Sequence, residues 1–328
     1  MIAQFPAVAR SIERYGIVLV VVVMMGVLYA LQPEHFLKLS NLMNVLKQNA
    51  MNGLLALGMF LVILTAGIDL SVGSILALSM VTLALANLEG VPWPIVILIG
   101  PLVGLLCGLV NGLGLTLLRL PHPFIMTLGT QFVFRGLTNL VSNGAPISGL
   151  PETVRYLGFA QIQIPYLGAT AAIPANGLLF ILCYIAVAVF LNKTSVGRHI
   201  YAIGGNPQAA RVSGINVNFI LTLVYMLSGF FAGLAGLLTA GRTGSGYPNA
   251  GIGAELDAIA AVVIGGASFF GGRGTVLGVF AGVLIIGLLR NGLNLNNVSS
   301  FWQQVLIGSV IILAVYVDVL RRQATTRK

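Results

Sequence analysis

Residues 55–81 read LALGMFLVILTAGIDLSVGSILALSMV. Two apolar runs flank a single carboxylate, Asp69, and a broken stretch, Gly67-Ile68-Asp69-Leu70-Ser71-Val72-Gly73-Ser74. Extended at either side, each run reaches the length of a membrane-crossing helix, about 20 predominantly apolar residues. The rest of the chain repeats the theme. Of 328 residues, 57% are hydrophobic and 8% are charged, against about 25% charged in an ordinary soluble domain. So few charges cannot cover the surface of a water-soluble fold of this length. The 41 glycines follow no G-X-Y period, which excludes a collagen-like chain. The fold class expected is an all-α polytopic membrane protein.

Apolar runs centred near residues 24, 58, 79, 106, 131, 183, 229, 263, 284 and 310 predict about ten transmembrane helices in a single transmembrane domain, residues 1–328. The longest stretch outside them runs from Ser142 to Pro174 and is too short for a sizeable soluble domain. Chemistry that needs such a domain has to come from another chain. Arg10 and Arg14 precede an apolar run from Gly16 to Leu31 that is long for a signal peptide and has no A-x-A site after it, so it reads as a retained first helix. Cys107 and Cys183 both lie in apolar runs and form neither a disulfide framework nor a metal spacing.

Ten crossings place both termini on one side. With the N-terminus inside, the cytoplasmic positions carry Arg10, Arg14, Arg119, Lys193, Arg198, Arg211, Arg273, Arg321, Arg322, Arg327 and Lys328. The opposite side carries Lys38, Lys47, Arg155 and Arg242, while Arg135 and Arg290 fall within spans. That distribution obeys the positive-inside rule. The net charge of +9 reflects this bias and calls for membrane lipid around the chain, with no nucleic-acid partner.

The tetrapeptide Leu64-Thr65-Ala66-Gly67 returns as Leu238-Thr239-Ala240-Gly241, each time at the end of an apolar run. Broken, Gly-rich stretches with acids near their start follow both copies: Asp69 in the first, Glu255 and Asp257 before Gly265-Gly266 in the second. Downstream of each lie glycines at every fourth position, Gly100, Gly104, Gly108 and Gly112, then Gly274, Gly278 and Gly282. That spacing puts each set on one helical face, where another helix can approach closely. Five crossings separate the copies, and an odd offset reverses direction, so the pattern predicts an inverted repeat with halves at roughly 41–141 and 217–321. In transporters, interrupted segments at matching places in two such halves point to the substrate path.

The polar groups inside the spans are the candidate path residues. Asp69 and Ser71 sit at the first break, where the carboxylate either lines a wet cavity, holds the broken helix in shape or caps the helix that follows. Gln131, Arg135 and Asn139 recur every four residues on one face of the fifth span, and such a stripe faces protein or water rather than lipid. Amides beside a guanidinium suit a neutral polyhydroxylated ligand, and suit helix–helix hydrogen bonding nearly as well. Asn291, Asn294, Asn296 and Asn297 read as an interfacial turn. No H-E-x-x-H, G-x-S-x-G or phosphate-loop motif occurs. No enzymatic activity, cofactor or metal is expected.

One loop, residues 192–216, stands out. Within it Gly205-Asn206-Pro207 leads to Ala209, Ala210 and Arg211 and then to Gly214. Asn is a favoured N-cap, Pro suits the first helical position and Gly is the usual stop. The spacing predicts a helix of under two turns, too short to persist alone in water. Its face is expected to present Ala209 and Ala210, small enough to enter a groove on a partner.

The runs GIDLSVGS at 67–74, GRHIYAIGGNPQAARVSGI at 197–215 and ELDAIAAVVIGGASFFGGRGT at 255–275 together resemble the ribose-type sugar ABC transporter permeases, over about residues 41–321. The resemblance implies the membrane subunit of a bacterial ATP-driven importer in the inner membrane. It also implies the partners: two cytoplasmic ATP-binding subunits or a fused tandem, a periplasmic sugar-binding protein, and a second permease subunit forming a homodimer. The 197–215 run would carry the coupling helix. Substrates across the family are pentoses and hexoses such as ribose, xylose, allose or galactose, with autoinducer-2 as an outlier. Permeases for branched-chain amino acids share the fold. A competing class is an ion-coupled secondary transporter with Asp69 as the coupling carboxylate.

Overall fold

The computed structural model describes residues 5–118, 120, 122–163 and 172–326. Arg119, Arg327 and Lys328, assigned above to the cytoplasmic side, lie outside them. The described residues form thirteen α-helices. These are α1 (Phe5–Leu31), α2 (Leu39–Leu64), α3 (Val72–Leu88), α4 (Trp93–Leu118), α5 (Pro123–Ser142), α6 (Glu152–Phe159), α7 (Ala175–Lys193), α8 (Ser195–Gly205), α9 (Pro207–Val212), α10 (Val217–Thr243), α11 (Ala254–Ile264), α12 (Val276–Leu295) and α13 (Ser300–Thr326). Two short antiparallel ladders depart from the all-α expectation. They pair β1 (Ile147–Ser148) with β4 (Ser245–Gly246), and β2 (Gln161–Gln163) with β3 (Ala172–Pro174).

Among the described residues, α2, α4, α7, α10 and α12 are long and apolar enough to cross a membrane, and Leu19–Leu31, Val72–Leu88 and Ser300–Leu313 are shorter apolar helical stretches. All ten segment centres fall on helices, but they are not ten equal spans. Residue 263 marks α11, which has 11 residues, about 16 Å of rise and roughly half the ~30 Å thickness of a bilayer core. Gly253 at its N-cap and Gly266 just beyond its end both hold positive φ, a conformation that costs glycine little. The break at Gly265-Gly266 was expected from the sequence; the start at Gly253 was not.

The centre of the molecule is α2 and α10. From Gly53 to Leu64 every residue of α2 is buried, and α10 is buried from Ala232 to Gly241. α10 packs on α4, α2 and α3. Its contact with α4 is built from glycine. A Cβ added at Gly104 would collide with the Gly229 carbonyl oxygen, one at Gly108 with the Tyr225 carbonyl, and one at Gly112 would lie 2.6 Å from the Thr222 Cα. Lipid offers no hydrophobic drive between helices, so close backbone contact of this kind supplies much of the association. The opposite side of α4 exposes Leu98, Leu102, Leu106 and Val110.

The second glycine set is arranged differently. Gly274 precedes α12 with φ +151 and so does not share its helical face. Gly278 closes on the Gly265 carbonyl and Gly282 on that of Ala261, which packs α12 against α11 and its C-terminal break. The LTAG copies also differ in setting, because Leu64 is the last residue of α2 whereas Leu238–Gly241 lies inside α10.

Candidate functional site

At the break between α2 and α3 the backbone leaves the helix, and its free polar groups need partners that lipid cannot supply. Asp69 is fully buried there. Its Oδ1 accepts from the backbone N–H of Ser71 at 3.1 Å and from the Ser71 hydroxyl at 2.6 Å, and its Oδ2 accepts from the Ser228 hydroxyl of α10 at 2.9 Å. The Ser71 hydroxyl accepts from Asn111 Nδ2 of α4 at 2.7 Å, and Asn111 Oδ1 accepts from Thr130 Oγ1 of α5 at 2.6 Å. The chain of donors therefore runs from α5 through α4 to the carboxylate, and a second arm comes from α10. The Ile68 carbonyl accepts from Thr127 Oγ1 at 3.0 Å and from the Tyr225 hydroxyl at 3.4 Å. Asn111 and Thr130 lie about 10 Å of helical rise inside the ends of α4 and α5. Asp69 and Ser71 have no exposed surface, and their hydrogen bonds tie the break to α4 and α10.

The second break is organised by a cation. Between α10 and α11 the chain runs through β4 and a turn. Arg135 of α5 reaches across and donates through Nη1 to the carbonyls of Pro248 and Ala250, the latter at 2.9 Å, and through Nη2 to the Gly73 carbonyl of α3 at 3.3 Å. A guanidinium suits this task because its donors form a fixed planar fork. Gln131, one turn earlier, donates to Glu255 Oε1 of α11 at 3.3 Å. Gly73 and Gly251 touch so closely that a Cβ at Gly73 would collide with the Gly251 carbonyl. The structure thus brings Gln131, Arg135 and Glu255 together. Asn139, two turns beyond Gln131, is exposed. Asp257 turns away to α12, where both its carboxylate oxygens accept from Arg290 Nη2 at 2.8 Å.

Asn111, Thr127, Thr130 and Ser228 carry these networks and were not singled out from the sequence, and Arg290 was noted only as lying within a span. Asn111 is the one amide on the glycine face of an apolar helix, which was the available signal. Serine and threonine in spans give none, since most of them simply bond their own helix.

Residues 192–216 form two helices rather than one helix in a loop. α8 comes first, capped by Thr194 Oγ1, which accepts from Gly197 N–H at 3.0 Å. Asn206 then caps the six-residue α9, its Oδ1 accepting from the N–H groups of Gln208 at 3.0 Å and Ala209 at 2.9 Å. Ala209 is exposed, but Ala210 is buried and does not share the outward face; that face belongs to Ala209, Arg211 and Val212, with Val212 90% exposed. The Ala210 carbonyl accepts from the N–H of Ile215 at 3.1 Å, closing the turn at Gly214 onto the helix. Beside α9 lies a cleft of about 330 Å³ lined by Thr65, Gly67, Thr116, Arg211 and Tyr225. Its inner wall is thus the first break. Tyr201 of α8 is half-buried, which pushes its phenol above the ordinary range, and its hydroxyl donates to the Gly274 carbonyl at 3.0 Å. Among the described residues no group of three His, Cys, Asp or Glu side chains is placed to hold a metal ion.

Residues 41–315 match the family described as branched-chain amino acid transport system / permease component. A ribose import permease protein of Bacillus subtilis is 44% identical over 306 residues, 93% of this chain and 92% of that protein. A D-allose transport system permease protein of Escherichia coli is 40% identical, covering 93% of this chain and 91% of its own length. A galactose/methyl galactoside import permease protein of Haemophilus influenzae is 39% identical, covering 94% and 95%. No solved structure matches the chain. A polytopic helical chain, two polar networks at its broken segments and a family match over most of its length agree: the protein belongs to the branched-chain amino acid transport system permease family.

Proposed function

We propose that this chain is the membrane permease subunit of an ATP-binding cassette importer and carries a monosaccharide, a pentose or hexose, across the bacterial inner membrane. The observation that carries the reading is identity of about 40% along nearly the whole chain with permeases named for ribose, allose and galactose. ATP would be hydrolysed by separate cytoplasmic subunits, and a periplasmic binding protein would deliver the sugar.

The topology we propose has ten crossings and cytoplasmic termini, with β4, its turn and α11 forming one composite crossing. Two runs of elements support an inverted repeat: α2 to α5 and α10 to α13 each begin with a long helix, break, continue in a shorter helix and add two long ones. α4 packs on α10, and its counterpart α12 packs on α2. The sugar path would pass Gln131, Arg135, Asn139, Glu255 and Asp257, with Asp69 and Ser71 fixing the first break beside it. α9, with its outward Ala209, Arg211 and Val212, would dock on an ATP-binding subunit. A second copy of the chain would complete a homodimer through a surface other than the glycine faces, which are already occupied within the subunit.

The test is co-expression with the ATP-binding subunit encoded beside it, purification through a tag on the permease, and sugar uptake into vesicles. Recovery of the ATPase together with ATP-dependent uptake of ribose, allose or galactose supports the proposal. A permease that purifies alone and takes up none of them counts against it.

A further inference from the structure

Resting on the permease reading above, we propose that Tyr201 and the glycine pairs Gly204–Gly205 and Gly271–Gly272 form a backbone joint that passes the movement of α9 to the first break and to the turn between α11 and α12. α8 ends at Gly205 and α9 begins at Pro207, so only the capping residue Asn206 separates them. Movement of α9 therefore reaches the end of α8 without a linker to absorb it.

The end of α8 is wedged between the first break and the turn that leads into α12. A Cβ at Gly204 would collide with the carbonyl oxygen of Leu64, the last residue of α2, and with the N–H of Gly272. Gly272 N–H itself donates to that Leu64 carbonyl at 2.9 Å, satisfying one of the acceptors a helix end leaves unpaired. A Cβ at Gly271 would sit 2.9 Å from the Ala66 nitrogen and 2.9 Å from the Gly204 carbonyl, and Gly271 and Gly272 hold φ of +83 and +70. Three segments therefore meet main chain to main chain: the end of α2 leading to Asp69, the turn leading to α12, and the end of α8. The Tyr201 hydroxyl holds the third side by donating to Gly274 at 3.0 Å.

Contacts of this kind have no rotamers to relax through, and a close-packed interior transmits displacement rather than absorbing it. A shift of α8 moves the Leu64 end of the first break and the Gly272 turn together. Tyr201 is a positioning residue in this scheme, because it touches the turn and not the sugar.

The experiment reconstitutes the importer with its ATP-binding subunit and binding protein in vesicles and measures ATP hydrolysed per sugar taken up. The sugar is whichever of ribose, allose and galactose the wild type transports. Tyr201→Phe keeps the ring and removes only the hydrogen bond, and Gly204→Ala forces the joint apart. We expect Tyr201→Phe to assemble with the ATPase and to hydrolyse ATP at near the wild-type rate. Its ATP-to-sugar ratio should rise roughly fivefold, the scale of one lost hydrogen bond, and that of Gly204→Ala should rise further. An unchanged ratio in assembled Tyr201→Phe overturns the joint, whether or not Gly204→Ala folds. A wild type that binds no ATPase and takes up no sugar overturns the permease reading, and the joint with it.

Discussion

Asp69 and Ser228 are 159 positions apart in the chain and are joined by a buried 2.9 Å hydrogen bond. The bond ties the first break to α10, the helix on which α4 also packs. Asp69→Asn replaces one accepting oxygen with an NH2 group, so the Ser228 hydroxyl must turn to accept and the second amide hydrogen has no acceptor among these partners. A buried donor left unpaired costs about 1–3 kcal/mol. Asp69→Asn is therefore expected to lower the melting temperature and to cut uptake roughly tenfold, and Ser228→Ala to do so more mildly. Uptake in both should stay insensitive to an uncoupler at constant ATP; a new dependence on the proton gradient would favour the ion-coupled alternative.

Arg135→Lys tests the second break. Lysine keeps the charge but replaces a planar fork by a single ammonium on a flexible stem, which cannot span the carbonyls of Pro248, Ala250 and Gly73 together. The expected outcome is normal membrane insertion with uptake reduced about tenfold or more, each charge-assisted hydrogen bond being worth about 1.5–3 kcal/mol. Wild-type uptake in Arg135→Lys would show that charge alone suffices.

The sequence disclosed the class of fold and placed each of its ten apolar centres on a helix, because long apolar runs are conspicuous, but it did not show the short α6 and α8. It marked a break at Gly265-Gly266 but did not show that α11 has only 11 residues. It singled out Asp69 and Arg135 because lone charges in spans are conspicuous. What each charge does depends on Asn111, Thr130 and Ser228 for the first, and on backbone carbonyls for the second. Carbonyls have no sequence signature at all. Ala210 was expected outward beside Ala209, but over six residues the helical period alone does not decide which face is buried.

The glycine face of α4 predicts a contrast. Gly108→Leu drives a side chain into the Tyr225 carbonyl and should sharply lower folded yield, rather than releasing stable monomers. Gly136 of α5 has open space around it, so Gly136→Ala should be tolerated and should favour the helix by about 0.5–1 kcal/mol. Size-exclusion profiles of the two variants check this. In a background lacking Cys107 and Cys183, cysteine at position 108 should give no efficient cross-link between subunits.

Ala209→Trp and Ala210→Trp separate docking from folding. Ala209 is exposed, so the bulky ring should abolish ATPase co-purification and transport while the protein inserts and folds. Ala210 is buried, so its variant should also lose stability, because overpacking costs about 1–3 kcal/mol. Full transport and normal ATPase association in the double variant would remove the docking role from α9.

The most direct test of the account is uptake by vesicles containing the chain with its ATP-binding subunit and binding protein, with ATP held constant and the proton and sodium gradients collapsed. The account predicts that sugar accumulation continues unchanged without the gradients and stops when ATP is withheld. Accumulation that collapses with the gradients and persists without ATP would contradict it.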